Sequence, residues 1–304
     1  REVIELCVDL MMAENVDELK KSGKIIRIYD GCCGTGGMLT VAKRKLEQLL
    51  GTSERVRLFG QDSNPESYAV CCAEMLMLGD DAKNIYEGNT LTQDQLSGEK
   101  FDLLITNPPF GFEWRTDKAA VEKERESTHN RFVAGLPRVS DGQLLFLQNL
   151  LAKAEEDARI AIILNGSPLF SGDAGSGESE VRRYVMENNL LEAIVALPDQ
   201  MFYNTGIYSY IWILSKNKAK RRNAKVQLIN AIDFWEPQKP KSLGNKRKFI
   251  SPEHQEKIVA MYQNFAEGEH CKIFDTTDFG YYKVTVERPL KDEQGKPVLK
   301  KGAK

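Results

Sequence analysis

Asn107-Pro108-Pro109-Phe110 combines the residue types with the most pointed chemistry in this 304-residue sequence. The Asn107 side-chain carbonyl and the Pro108 backbone carbonyl are two acceptors able to serve one planar amino group. Phe110, beside them, offers a face on which the ring bearing such an amine can stack. The two prolines fix the backbone and forbid continuation of a hydrogen-bonded ladder. The same four residues also suit an ordinary strand-ending turn, for which Asn-Pro is a frequent beginning.

A second group lies earlier in the chain. Gly31-Cys32-Cys33-Gly34-Thr35-Gly36-Gly37 follows Asp30 directly. Glycines there let the backbone approach a ligand, while the amides opening the next helix face its polar groups. A tight strand-to-helix turn has the same composition. In a dinucleotide fingerprint the third glycine would fall at Leu39, which disfavours a nicotinamide cofactor. Asp62, 25 residues beyond Gly37, stands near the spacing at which an acid accepts from ribose hydroxyls, and an aspartate there also suits a helix N-cap. Asn89, in Glu87-Gly88-Asn89-Thr90-Leu91, is placed to meet a cofactor ring or a substrate, or to cap a turn.

What must position these residues is a set of buried strands that run out into them. Residues 101–106 are short, apolar and closed by prolines, the signature of a central parallel strand. Strands at 25–30 and 56–60, helices at 38–50 and 64–79, and a short strand ending at Glu87 precede it. In open α/β sheets the carboxyl ends of strands are where ligands bind. A first helix over 2–12 gathers Val3, Leu6, Cys7, Leu10 and Met11 on one face. Later come a helix at 143–156, a strand at 159–164, a helix at 179–188 and strands at 191–197 and 208–215. The last two strands have no helix between them and predict an antiparallel hairpin at the edge of a mostly parallel, seven-stranded sheet with helices on both faces. Residues 172–177 read as a flexible loop and not a phosphate cradle, because no Gly-Lys-Ser/Thr completes them.

Composition sets limits on function. The sequence is 41% hydrophobic and 28% charged with a net charge of −2, ordinary for a soluble globular chain and large enough for a sizeable core. No apolar run is long enough to span a membrane, and no secretory signal is visible. Six cysteines form no C-x-x-C and suit small buried hydrophobes in a reducing cytoplasm. His129, His254 and His270 have no zinc spacing. Residues 216–248 hold eleven cations against Asp233 and Glu236, a net of +9, which reads as a solvated basic face or a local contact to phosphates. A helix follows at 252–266, then a β-prone piece at 281–286 and a Lys-rich end expected to fray. The start at Arg1 without methionine and the lysine-rich finish suggest a fragment of something longer.

Taken together, the glycine turn, the acid and the Asn-Pro-Pro-Phe corner at three strand ends resemble the S-adenosylmethionine-dependent amino-methyltransferases. More narrowly they resemble the modification (M) subunit of type I restriction-modification systems. The likeness runs through Asn188 to Pro198 and Phe202-Tyr203-Asn204-Thr205-Gly206-Ile207 to the strand ending at Lys216. It implies a Rossmann-like methyltransferase domain over 1–235, without the family's N-terminal helical domain, and a basic C-terminal extension over 236–304. It also implies that S-adenosyl-L-methionine is held by Asp30, Gly34, Thr35, Gly36, Gly37, Asp62, Asn89 and Arg1, and the target adenine by Asn107, Pro108, Pro109 and Phe110. Three departures bear on cofactor geometry. Gly31 stands where a proline is usual, Asp62 replaces the commoner glutamate, and the Thr-Pro that the family carries just before Arg1 is missing.

The chemistry implied is methylation of adenine N6 in double-stranded DNA. That amine is a poor nucleophile because its lone pair is delocalised, so two acceptors drawing its hydrogens out of the ring plane would localise the pair. Alignment then supplies much of the rate, with no metal and no covalent enzyme intermediate. The cytosine-ring route needs a cysteine nucleophile, usually after proline, and no Pro-Cys occurs. The polar stretch 111–140 is expected either to be a solvated connector or to be mobile and to order when DNA arrives. The resemblance further implies a specificity (S) subunit that reads the sequence, a second M subunit, and a restriction (R) subunit in the full complex. Two other readings remain at this stage: a protein-glutamine or RNA amino-methyltransferase, whose fourth motif residue is usually tyrosine, and a non-catalytic scaffold that keeps the cofactor fold.

Overall fold

The computed structural model describes residues 1–14, 16–52, 54–239, 244–288 and Gln294. The chain opens with α1 (Glu2–Met12) and α2 (Val16–Ser22), then alternates β1 (Ile26–Asp30), α3 (Gly37–Leu50), β2 (Val56–Asp62), α4 (Pro65–Met77), β3 (Ile85–Glu87) and β4 (Phe101–Thr106). After α5 (Lys118–Arg125) come α6 (Gln143–Lys153), β5 (Ala154–Asn165), α7 (Ser167–Phe170), α8 (Gly177–Glu187), β6 (Leu191–Ala196) and β7 (Ser209–Ser215). β8 (Lys225–Asn230), β9 (Glu236–Pro237), β10 (Lys248–Phe249), α9 (Pro252–Asn264) and β11 (Cys271–Asp275) complete it.

The sheet has nine strands in the order β11-β8-β6-β7-β5-β4-β1-β2-β3, two more than the seven the sequence predicts; β9 and β10 form a separate pair. The additional strands are β8 and β11, paired antiparallel to each other, with β8 parallel to β6. Polar residues hide them. Gln227, inside β8, is fully buried, but its amide donates to the Met261 carbonyl at 2.8 Å, so the alternation reads as loop although the strand is core.

The expected hairpin of β6 and β7 forms, but not at an edge. β7 runs antiparallel between β5 and β6, and its Ile211, Trp212, Ile213 and Leu214 are all buried, as a strand covered on both faces must be. The antiparallel edge is β11. A second correction concerns α6, which ends at Lys153 and not at 156, because Ala154 turns to extended backbone and pairs with Phe101 of β4.

The segment 111–140 is neither a bare connector nor a loop awaiting a partner. It contains α5 and sinks Trp114, Val121 and Phe132 into the core. Arg131 binds the segment to the fold, donating to Glu124, to the carbonyls of Thr90 and Leu91, and to Asn149 Oδ1 at 2.8 Å. Residues 281–286, expected to be β-prone, lie exposed outside any strand. The end at 300–304 lies outside the described residues.

Two apolar layers sandwich the sheet. On one side α1, α3 and α9 cover Ile26, Ile28, Leu103, Ile105, Ile211 and Ile229. On the other, α6 and α8 cover Tyr29, Leu104, Ile160, Ile162 and Trp212. Packing continues past residue 235: Ile258 and Tyr262 of α9 and Cys271 of β11 belong to the first layer. A buried ionic knot fastens this end, with Arg159 donating to both Glu192 oxygens at 2.9 and 2.6 Å and to the Tyr262 hydroxyl at 2.8 Å. All six cysteines are free.

Candidate active site

Parallel pairing of β1 with β2 and with β4 brings three strand ends side by side. Asp30 closes β1 and is fully buried. Its Oδ1 accepts from the Cys32 N–H at 2.9 Å and from the Thr106 hydroxyl at 2.5 Å, while Oδ2 is buried with no partner among the described residues. Burial pushes the carboxyl up to about 7, helped by the charge of Asp62, and the two donors hold it down.

Gly31 follows, and its departure from the family's proline has a steric counterpart. A Cβ there would lie 2.8 Å from the Tyr29 hydroxyl, which itself accepts from Asn149 Nδ2 at 3.2 Å. The turn then closes through Gly36 N–H to the Cys33 carbonyl at 2.8 Å, with Gly34 and Gly36 at φ of 53° and 88°. Both values lie in the left-handed region that side chains disfavour. A Cβ on Gly36 would meet Cys71 Sγ at 2.9 Å, whereas above Gly34 and Gly37 there is nothing within 4 Å. The turn is therefore packed tightly from below and open above. Thr35 and Gly37 are exposed on that open side.

Asp62 holds the turn from β2. Its Oδ2 accepts from the Gly34 N–H at 2.8 Å and its Oδ1 from the Asn64 N–H at 2.9 Å. The residue that caps α4 is Asn64, whose side chain accepts from Ser67 N–H at 2.8 Å. Asp62 thus borders the glycine turn and is not the helix cap.

At the end of β4, Thr106 is tied to Asp30, and Asn107 is the next residue. Asn107 Oδ1 is buried with no partner among the described residues. Pro108 is buried and Pro109 exposed. Phe110 is half-buried and meets Phe202 edge to face, with ring centroids 6.3 Å apart and planes at 90°.

Two sequence candidates sit differently. Asn89 forms a local turn, accepting from the Leu91 N–H at 2.9 Å and donating to Asp117 at 3.0 Å, so it fastens the 111–140 segment. Arg1 pairs with Glu5 at 2.9 Å, a contact that does not reach the glycine turn. Conversely, Thr106 and Phe202 had no role assigned from sequence. A hydroxyl closing the apolar run Leu103-Leu104-Ile105 is the signal for the first.

Among the described residues no group of three or more His, Cys, Asp or Glu is placed to hold a metal ion, and no helix is long and apolar enough to cross a membrane. A cavity of about 1450 Å³ is lined by Ile194, Tyr210, Trp212 and Leu228 on the β6–β7–β8 face, and none of the candidate residues line it.

The fold is that of the S-adenosylmethionine-dependent methyltransferases. The fold matches a putative class I S-adenosylmethionine-dependent methyltransferase from Listeria monocytogenes with a TM-score of 0.57 over 85% of this chain and 70% of that one, at 17% identity. The type I restriction-modification methyltransferase subunit from Streptococcus thermophilus matches with a TM-score of 0.76, covering 91% of this chain and 55% of that one, at 23% identity.

Within that class, a model of the N-6 DNA methylase family matches residues 1–294, and the chain belongs to that family. Its sequence is 28% identical over 259 residues to the type I restriction enzyme MjaIX methylase subunit of Methanocaldococcus jannaschii, covering 84% of this chain and 44% of that protein. It is 30% identical over 208 residues to the HindI methylase subunit of Haemophilus influenzae, covering 67% and 44%. The chain spans about half the length of the curated relatives it matches.

Proposed function

We propose that this chain transfers a methyl group from S-adenosyl-L-methionine to the N6 amine of adenine in double-stranded DNA, as part of a type I modification subunit working in the cytoplasm. The observation that carries the reading is the buried, unpartnered Oδ1 of Asn107 at the end of β4. A native chain rarely buries a polar atom without a partner, and such an atom at a strand's carboxyl end suits a place kept for a ligand. An amide oxygen is the acceptor that an exocyclic amine requires.

The cofactor fits the residues on the other side. The unpartnered Asp30 Oδ2 suits a cationic amino-acid group, and Asp62 retains lone pairs for hydroxyl donors. Gly34 and Gly37 leave open space where a side chain would stand. When bound, S-adenosyl-L-methionine supplies an electrophilic methyl group on a sulfonium. Asn107 Oδ1 and the Pro108 carbonyl then draw the amine hydrogens out of the ring plane and fix the nitrogen for attack. Swinging adenine out of the stack costs a few kcal/mol, and the Phe110–Phe202 corner offers it a new aromatic surface.

The partners follow from the relatives, which are methylase subunits of type I restriction enzymes. A specificity subunit that reads the DNA, a second M subunit, and a restriction subunit in the full complex are the proposed assembly. A glutamine or RNA amino-methyltransferase, or an inert scaffold, is disfavoured by the family match over residues 1–294. Incubation with methyl-labelled cofactor and adenine-containing DNA, with and without the specificity subunit, tests this. Label in N6-methyladenine is the expected result. Label in RNA or protein, or no transfer under any condition, refutes it.

A further inference from the structure

Thr106 is the only described side chain that reaches from the Asn107 strand end to the Asp30 carboxylate, with Oγ1 to Oδ1 at 2.5 Å and its residue 1% exposed. The other donor to that oxygen is the Cys32 N–H, from the glycine turn itself. Oδ1 is thus occupied from both sides, and Oδ2 is left buried with no partner. A freely rotating carboxylate would exchange its two oxygens; one pinned at Oδ1 by two donors cannot.

We propose that Thr106 is a positioning residue that acts through Asp30: it locks the carboxylate so that Oδ2 serves the cofactor's cationic group, and it ties the Asn107 corner to the glycine turn. This rests on the reading of the chain as an S-adenosyl-L-methionine-binding methyltransferase. The hydroxyl has a second consequence, because a donor to the ionised form stabilises the carboxylate that the cation needs. Asp30 is poised at about 7 with Thr106 among the groups holding it down, so its charge near neutral pH depends on that hydrogen bond. The other ionisable groups that face Asp30 are Asp62 from β2, Cys32 and Cys33 in the turn, and Cys71 from α4.

The test is calorimetric binding of S-adenosyl-L-methionine from pH 5.5 to 9, with Thr106→Val, Thr106→Ser and Asp30→Asn variants. The native chain should bind more tightly as pH rises through about 7. Thr106→Val should move that rise upward by about one pH unit, weakening binding about fivefold at pH 7, approaching tenfold below pH 6, and converging on the native value at the alkaline end. Thr106→Ser should follow the native profile, and Asp30→Asn should abolish the pH step in either background. Equal weakening by Thr106→Val at every pH would mean that the hydroxyl is only structural, and overturns the proposal.

A second measurement needs no cofactor. In the carboxyl-carbon titration of the free chain, the Asp30 midpoint should rise in Thr106→Val, or in Thr106→Ala if valine prevents folding, and return in Thr106→Ser. An unmoved midpoint overturns the coupling. Absence of cofactor binding by the native chain at all pH values would overturn the functional reading instead, and the free-chain titration would still decide the role of Thr106.

Discussion

Replacing Asn107 by alanine separates a functional from a structural role, because the two predict opposite signs for stability. Asn107 Oδ1 is buried without a partner, and an unsatisfied buried amide oxygen costs about 1–3 kcal/mol. Asn107→Ala removes that oxygen, and the residue is half-buried, so little apolar packing is lost with it. The free chain should be unchanged or more stable by about 1 kcal/mol, a rise of roughly 1–2 °C in melting temperature. Methyl transfer should behave otherwise. Loss of one preorganised polar contact at a reacting centre lowers turnover by about 10²–10³-fold. Cofactor affinity should stay within about twofold of native, since Asn107 is not part of the glycine turn. Thermal melting of the free chain, calorimetry with S-adenosyl-L-methionine and label transfer to DNA in the presence of the specificity subunit give the three numbers. A variant that loses stability and activity together would refute the reasoning, because the oxygen would then have a structural partner. So would one that methylates at the native rate.

The Asp30 carboxyl, raised to about 7, is stabilised by folding in its protonated form; that stability is fully present below about pH 4 and is lost as pH rises through about 7. Asp30→Asn should therefore remove up to about 4 kcal/mol of pH dependence from the unfolding free energy between those values, and an unchanged slope would show that Asp30 is ionised throughout. Gly36→Ala meets a left-handed φ of 88° and Cys71 Sγ at 2.9 Å, so it should destabilise by more than the roughly 1–2 kcal/mol of the backbone strain alone. Gly34→Ala, at φ 53° with nothing within 4 Å, should stay near that strain cost while losing cofactor affinity, which melting and calorimetry distinguish. Glu192→Gln leaves the buried Arg159 without its carboxylate and should cost about 3–5 kcal/mol in denaturant unfolding; a loss below about 1 kcal/mol would mean the knot is solvated.

The part of the fold that carries the site was legible because its strands are apolar runs that stop abruptly at glycine or proline. β1, β2 and β4 each end on a residue that the sequence alone marks, and parallel pairing then forces Asp30, Asp62 and Asn107 to one edge. Elsewhere tertiary contacts replaced local signals. β8 is concealed by Gln227, whose amide is satisfied only once α9 has docked. The 111–140 segment has no period because Arg131, Trp114 and Phe132 fix it singly, and no helical or strand face does. β7 was read as an edge because sequence shows which strands are neighbours along the chain, not which strand slides between them. At the site, the turn that the sequence offers as one role for Asn89 forms, and its further tie is to Asp117, 28 residues away. Thr106 was passed over because a hydroxyl ending a strand resembles punctuation until the carboxylate it holds is seen.

The basic run over 216–248 changes meaning once its partners are known. Of its eleven cations, Arg221 and Arg222 reach Glu14, at 2.5 and 3.0 Å, and Lys225 pairs with Asp275 at 2.7 Å. Lys246 pairs with Glu2, and Lys248 with Asp199 at 2.5 Å. Lys216, Lys218 and Arg247 donate to backbone carbonyls. Eight of the eleven are thus engaged within the fold. Each phosphate contact releases counterions only if the cation is available to make it, so a charge already paired with a carboxylate contributes little to DNA affinity or to its salt dependence. The net of +9 counted along the sequence is therefore not the charge presented to a phosphate backbone. These cations act instead as pins: Lys246 and Arg222 tie the late part of the chain to α1 and the turn after it, and Lys218 bridges β6 and β8 through the Leu191 and Lys225 carbonyls, each at 2.8 Å. Burial pushes Lys218 down to about 8, the direction expected of a cation sunk into the fold and not one waiting in solvent. Under the function proposed above, these paired cations add little to the attraction for a duplex.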